Sequence, residues 1–142
     1  MKILEELRGT AGTGEWVGVD LDQTAARYNG WLGSDHVGEP VPEIIDLIKA
    51  YLEAKIEVRI FTARAGVPEQ VPAVERWCEK HIGQKLPVTN VKDFGMRILY
   101  DDRAVQIIPN KGISLEEYLI QSGWIRPDNL EIVSDLVARG KW

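Results

Sequence analysis

The sequence predicts an α/β fold, a mainly parallel sheet with helices on both faces. Three observations carry this expectation. Short apolar runs alternate with segments of helical period, in the order strand, helix, strand, helix, strand, strand, strand. Each of the first four runs leads into a polar cluster, at Asp20/Asp22, Thr62/Arg64, Lys92 and Asp101/Asp102. The stretch Trp16-Val17-Gly18-Val19-Asp20-Leu21-Asp22-Gln23-Thr24 climbs through apolar residues to two carboxylates and a hydroxyl, which a strand end cannot bury without partners. In open parallel sheets ligands sit at the carboxyl ends of the strands, so these clusters converge on one edge.

The elements follow in order. Lys2 to Arg8 reads as a short helix with Ile3, Leu4 and Leu7 on one side. Gly9 to Gly14 is glycine-rich, but no strand precedes it and no Lys-Ser/Thr follows, so it reads as a hinge rather than a phosphate loop. Residues 1–14 thus form an N-terminal arm. Trp16 to Asp20 is the first strand. On a continuing strand Asp20 and Asp22 would share a face, and a divalent cation is the usual thing that reconciles such carboxylates. Ala25 to Pro42 has the composition of turns; a loop this long tends to be functional. Its residues able to meet a ligand are Arg27, Tyr28, Trp31 and His36, with Tyr28 and Trp31 equally able to pin the loop to the body.

Pro42 to Ala54 is the clearest helix, with Ile44, Ile45, Leu47, Ile48, Tyr51 and Leu52 on an apolar face and a proline suited to the first turn. Ile56 to Phe61 alternates as a strand and runs into Thr62-Ala63-Arg64. A second helix spans about Glu69 to His81. Its Cys78 and His81 have metal-like spacing, but no second pair completes a zinc site, so burial is the preferred reading. Pro87 to Val91 reads as a short strand before Lys92, and Met96 to Tyr100 as another before Asp101-Asp102-Arg103. Ala104 to Ile108 is read as a last strand. Helices at Ser114 to Ser122 and Asp128 to Arg139 finish the chain, within a C-terminal segment 113–142.

A chain of 142 residues, 44% hydrophobic and 27% charged, suits one domain, 1–142, with a sizeable core. The net charge of −5 argues against broad binding to nucleic acid or an anionic membrane, which needs a basic surface. The single cysteine excludes an internal disulfide and suits a reducing compartment. No signal peptide is visible, and no run nears the ~18 apolar residues of a membrane helix. The expectation is a cytoplasmic protein with no membrane partner.

The chemistry at the predicted edge is four carboxylates, a hydroxyl, a lysine and at least one arginine, in a chain with only two histidines. Carboxylates from two strands make an oxygen-rich site suited to Mg²⁺. A lysine and a hydroxyl opposite the metal suit a phosphoryl group. A carboxylate can itself be the nucleophile, and a second one can move protons.

These residues resemble the motifs of the haloacid dehalogenase-like (HAD) phosphohydrolases. Asp20-Leu21-Asp22-Gln23-Thr24 resembles the first motif, Phe61-Thr62 the second, Lys92 the third and Tyr100-Asp101-Asp102 the fourth, over roughly residues 16 to 109. The resemblance implies a three-layer Rossmann-like fold. It also implies a Mg²⁺-dependent phosphomonoester hydrolase that works through an aspartyl-phosphate. Asp20 would be nucleophile and metal ligand. Asp22 would be general acid/base, its backbone carbonyl also touching the metal. Thr62 would hold phosphoryl oxygens, Lys92 would neutralise charge, and Asp101 would bind Mg²⁺. Asp102 would be a ligand through water or a partner of Lys92. Two departures stand out, Gln23 where the family often has glycine and Ala25 where it often has a bulky aliphatic.

No insertion is long enough for a cap domain, so the resemblance implies an open, capless site, or one for which a second copy of the chain acts as lid. Thr62-Ala63-Arg64, Glu75-Arg76-Trp77, Leu86-Pro87-Val88 and Asp101-Asp102-Arg103 further resemble the 3′-phosphatase domain of phage-type polynucleotide kinases and small nucleotide phosphatases. By that likeness the substrate is a nucleotide or a nucleic-acid 3′/5′-phosphate end, contacted by Arg64 and, from the loop, by Arg27. A helix-side ion pair is the structural alternative for Arg64. The alternative function is a catalytically weak nucleotide- or partner-binding module that keeps the fold.

Overall fold

In a computed structural model, residues 2–126 are described. The chain divides into two compact units, Met1–Asp101 and Asp102–Trp142. The first holds a sheet of four strands, β1 (Trp16–Val19), β2 (Glu57–Phe61), β3 (Val88–Thr89) and β4 (Met96–Tyr100). Their order is β3-β2-β1-β4 and every pair is parallel. Helices α1 (Lys2–Leu7), α2 (Pro42–Glu53) and α3 (Val71–His81) flank the sheet. The expected α/β class, a parallel Rossmann-like sheet flanked by helices, is therefore what the chain adopts. The second unit holds α4 (Leu115–Gln121), whose first turn is capped by the Ser114 hydroxyl accepting from Glu117 N–H.

The alternation along the strands decides what the sheet packs against. Val17 and Val19 of β1 and Val58 and Ile60 of β2 join one core with Ile45, Ile48 and Tyr51 of α2, Val74, Trp77 and Cys78 of α3, and Leu4 and Leu7 of α1. Cys78 is buried there and free, and the His81 ring lies tilted against that of Trp77, centres 5.2 Å apart. Trp16 and Gly18 point to the other face. Trp16 is fully buried under Arg59, 4.5 Å from its ring centre. The Trp16 indole donates to Asp93 at 2.7 Å, and Asp93 lies on the segment that runs from β3 to β4. Gly18 is held to glycine by that packing, since a Cβ there would sit 3.0 Å from Leu99 and 3.2 Å from Trp16.

Several elements differ from the sequence expectation, and the strand read over Pro87 to Val91 is only Val88–Thr89. The helix expected from Glu69 begins at Val71, after short 3₁₀ turns at Ala63–Gly66 and Pro68–Gln70. Ala104 to Ile108 does not form a strand. Its backbone bonds go to its own turn instead: Ile108 N–H to Ile113, Leu115 N–H to the Gln106 carbonyl, and an isolated bridge between Ile107 and Ser114. The helix expected from Asp128 to Arg139 lies outside the described residues. Among the described residues no helix is long and apolar enough to cross a membrane.

Candidate active site at the carboxyl edge of the sheet

Register builds the centre of the site. Val19 is level with Tyr100 across the β1–β4 pair, and the ladder continues one step as Asp20 N–H donates to the Tyr100 carbonyl at 2.9 Å. The next residue of each strand is thus an aspartate. Asp20 and Asp101 bring carboxylate oxygens within 4.8 Å of one another. Both are half-buried. The Thr24 hydroxyl donates to Asp20 Oδ2 at 3.2 Å. Asp102 follows Asp101 directly as the first residue of the second unit, and it is exposed.

The end of β4 is braced from below. Tyr51 of α2 and Tyr100 share a hydroxyl–hydroxyl hydrogen bond of 2.6 Å. Burial, followed by that bond, pushes the Tyr51 phenol well above its usual range. An aromatic hydroxyl inside an otherwise apolar helix face was the sequence signal for such a partner.

β1 stops at Val19, and the chain turns at once. Ala25 and Ala26 N–H both donate to the Leu21 carbonyl at 2.9 Å, and Gln23 takes a left-handed φ of 72°. Leu21 is fully buried in the core. The turn gives Asp20 and Asp22 different partners, so the expectation of one shared carboxylate face does not hold. Asp22 meets Arg64, whose Nε and Nη2 donate to Oδ2 and Oδ1, each at 2.9 Å. The Asp22 side chain is about 20% exposed and that of Arg64 about 6%. Arg64 gets there because Thr62 caps the 3₁₀ turn after β2, its hydroxyl accepting from Arg64 N–H at 3.2 Å. Thr62 is buried. As an acceptor in that bond, it keeps its own proton to donate.

Arg64 also reaches the long loop. Its Nη1 donates to the His36 carbonyl at 2.8 Å, and its guanidinium lies 5.4 Å from the Trp31 ring centre. The loop is closed at its base by Val41 N–H to Ala25, Arg27 N–H to Glu39, and a bridge between Ala26 and Pro40. The Trp77 indole donates to the Gly38 carbonyl at 2.8 Å. Gly38 packs so tightly that a Cβ would lie 1.9 Å from the Arg27 carbonyl oxygen. A cavity of about 180 Å³ opens here, lined by Arg27, Tyr28, His36, Glu39 and Arg64 among others. Trp31 is 53% exposed. Arg64 and Trp77 therefore pin the loop to the body. Trp77 was legible only as an apolar residue on the inner side of its helix.

Lys92 lies three residues beyond β3, on the exposed segment that carries Asp93. Among the described residues Asp22 pairs with Arg64, and no ion pair joins Lys92 to Asp20, Asp22 or Asp101.

No family model and no curated protein matches the chain. Among solved structures it is similar to a conserved protein from Bacteroides thetaiotaomicron, at 20% identity and a TM-score of 0.47, over 75% of this chain and 89% of that one.

Proposed function

We propose that the chain is a Mg²⁺-dependent phosphomonoester hydrolase of the HAD-like, capless kind, acting on a nucleotide or a phosphorylated nucleic-acid end. The observation that carries this reading is the register that sets Asp20 beside Asp101 at the carboxyl edge of a parallel sheet, with Thr62 at the end of the next strand. Paired carboxylates offer the hard oxygen donors that Mg²⁺ takes, few in number and completed by water and substrate oxygens. Asp20 and Asp101 would hold the ion, with Asp102 and the Asp22 backbone carbonyl as further candidates. When bound, the ion supplies charge neutralisation at the phosphoryl oxygens.

The chain's own groups then have distinct tasks. An Asp20 oxygen attacks phosphorus, the ester P–O bond breaks, and the leaving oxygen takes a proton from Asp22. Water next attacks the aspartyl-phosphate and gives a proton back to Asp22. The bond between phosphorus and Asp20 breaks, inorganic phosphate leaves, and both carboxyl groups are restored. A carboxylate has about four lone-pair sites. The fork from Arg64 takes one on each oxygen, so Asp22 keeps lone pairs for this proton. Thr62 would donate to a phosphoryl oxygen, and Lys92 would neutralise charge on the same group. Arg27, Tyr28 and Trp31 would meet the rest of the substrate around the loop.

The test is hydrolysis of p-nitrophenyl phosphate with Mg²⁺ by the parent and by Asp20→Asn, followed by a panel of nucleotides and of oligonucleotides phosphorylated at either end. Equal rates in the two proteins would overturn the reading. Nucleotide binding by calorimetry without turnover of any ester would favour the binding module instead.

A further inference from the structure

Arg64 is buried and lines the cavity beneath the loop. Its three arms are all engaged within the protein. Nε and Nη2 hold both oxygens of Asp22 at 2.9 Å, Nη1 holds the His36 carbonyl at 2.8 Å, and one face lies over Trp31. A planar guanidinium presents these donors in a fixed fork, which the compact charge of an ammonium does not. Arg64 thereby joins Asp22 to the tip of the 27–39 loop. The base of that loop has its own fastenings at Gly38 and Val41. The tip, from Tyr28 to His36, is held by Arg64 at the His36 carbonyl and, on the exposed side, by the Arg76–Asp35 pair at 3.6 Å.

We propose that Arg64 is a positioning residue that straps the loop tip to Asp22, so that what fills the cavity under the loop is expressed in turnover more than in affinity. The inference rests on the phosphatase reading for the role of Asp22. The strap itself does not. A ligand that lifts or seats His36 moves the same guanidinium that fixes Asp22. Misplacement of a catalytic group by about 1 Å can cost roughly a hundredfold in rate. Substrates whose non-reacting part fits the cavity therefore gain in kcat.

The test uses residues 1–142 with Arg64→Ala and Arg64→Lys, the second retaining the charge should the first fold poorly. Chymotrypsin cleavage after Tyr28, Trp31 and Leu32 reads the strap, with the exposed Phe94 as internal reference. The expected result is cleavage in the loop about tenfold faster in both variants, with Phe94 unchanged. In turnover of p-nitrophenyl phosphate, kcat falls at least about tenfold in both variants while KM moves less than about threefold. Added methylguanidinium restores part of kcat in Arg64→Ala. Loop cleavage at the parent rate would overturn the strap. A raised KM at unchanged kcat would overturn the positioning role and return Arg64 to direct substrate contact. A parent protein inactive on every ester would remove the phosphatase reading alone, leaving the cleavage rates to decide the strap.

Discussion

Asp20 and Asp101 are neighbours because Val19 and Tyr100 are level in a parallel pair, so each strand ends its ladder one residue before a carboxylate. Parallel pairing points both strands the same way, and both side chains emerge at the same edge. Removing one of the two charges weakens a hard cation's hold without touching the nucleophile. Asp101→Asn is therefore expected to raise the Mg²⁺ concentration for half-maximal rate by about tenfold or more. Part of the rate returns at saturating Mg²⁺, whereas Asp20→Asn does not recover at any concentration. Titration of p-nitrophenyl phosphate hydrolysis with Mg²⁺ separates the two, and identical titration curves for parent and Asp101→Asn would remove Asp101 from the metal site.

The Asp22–Arg64 fork also has a stability consequence. With Arg64 buried and Asp22 mostly so, deleting one partner leaves the other charge poorly solvated. Arg64→Ala is expected to cost about 3 kcal/mol. Asp22→Asn costs less, since an amide oxygen still accepts from one guanidinium arm. The double variant falls short of the sum by about 1 kcal/mol or more, as for residues in direct contact. Urea unfolding of the four proteins gives the cycle, and simple additivity would show the fork to be energetically idle.

The centre of the site was legible because it depends on strand ends. Apolar runs closing on Asp20, Thr62 and Asp101 mark the carboxyl edge of a parallel sheet, and the sheet order brings those three together. The Asp22–Arg64 pair was not legible. It joins residues 42 apart and depends on where β1 stops and on the 3₁₀ turn that Thr62 caps. Both are local turn choices with no periodic signal. Lys92 lacks a strand or helix to aim it, because the chain from β3 to β4 is a short crossing tied down at Asp93. The segment Ala104 to Ile108 is a mostly apolar run, yet its hydrogen bonds close on residues 113 to 115 instead. Such a run does not choose its pairing partner.

Lys55 follows α2 in the left-handed region, with φ 62°. Lys55 N–H donates to Leu52 and Ile56 N–H to Tyr51, each at 3.0 Å. This is the Schellman arrangement, in which glycine is favoured at the Lys55 position. Lys55→Gly relieves a side-chain clash of about 1–2 kcal/mol and gives back some of it in unfolded-chain entropy. The expected net gain is about 0.5–1 kcal/mol, read as a higher urea midpoint at unchanged slope, with turnover unaltered. A loss of stability would contradict the left-handed geometry.

Gln23 occupies the same region of backbone space, with φ 72°, but it does so between the proposed proton carrier and Thr24. Its N–H donates to the Ala26 carbonyl at 2.8 Å, and glycine keeps that bond. Gln23 has interactions of its own, so Gln23→Gly gains less than Lys55→Gly, about 0.5 kcal/mol. The shape of the turn is preserved, so turnover of p-nitrophenyl phosphate does not fall. A large loss of activity would make the Gln23 side chain itself part of the site.

Asp93 ties the β3–β4 connection to the far face of the sheet. The hydrogen bond from the Trp16 indole, then that from Gly95 N–H, hold its carboxyl below the usual carboxylate range, with Arg59 adding to the effect. A carboxyl lowered in the folded state binds a proton more readily when unfolded. Its stabilising effect is therefore complete above the unfolded value, about 3.9, and is lost as pH falls through the lower folded value. Asp93→Asn removes that dependence. The urea midpoint of the parent should fall more steeply than that of Asp93→Asn below about pH 4, and the two profiles should run parallel from pH 5 upward, about a unit above the unfolded value. Trp16→Phe keeps the ring under Arg59 but loses the indole donor, so it should flatten the acid limb in the same direction. Parallel profiles through the whole acid range would show that the Trp16–Asp93 bond does not hold the connection in place.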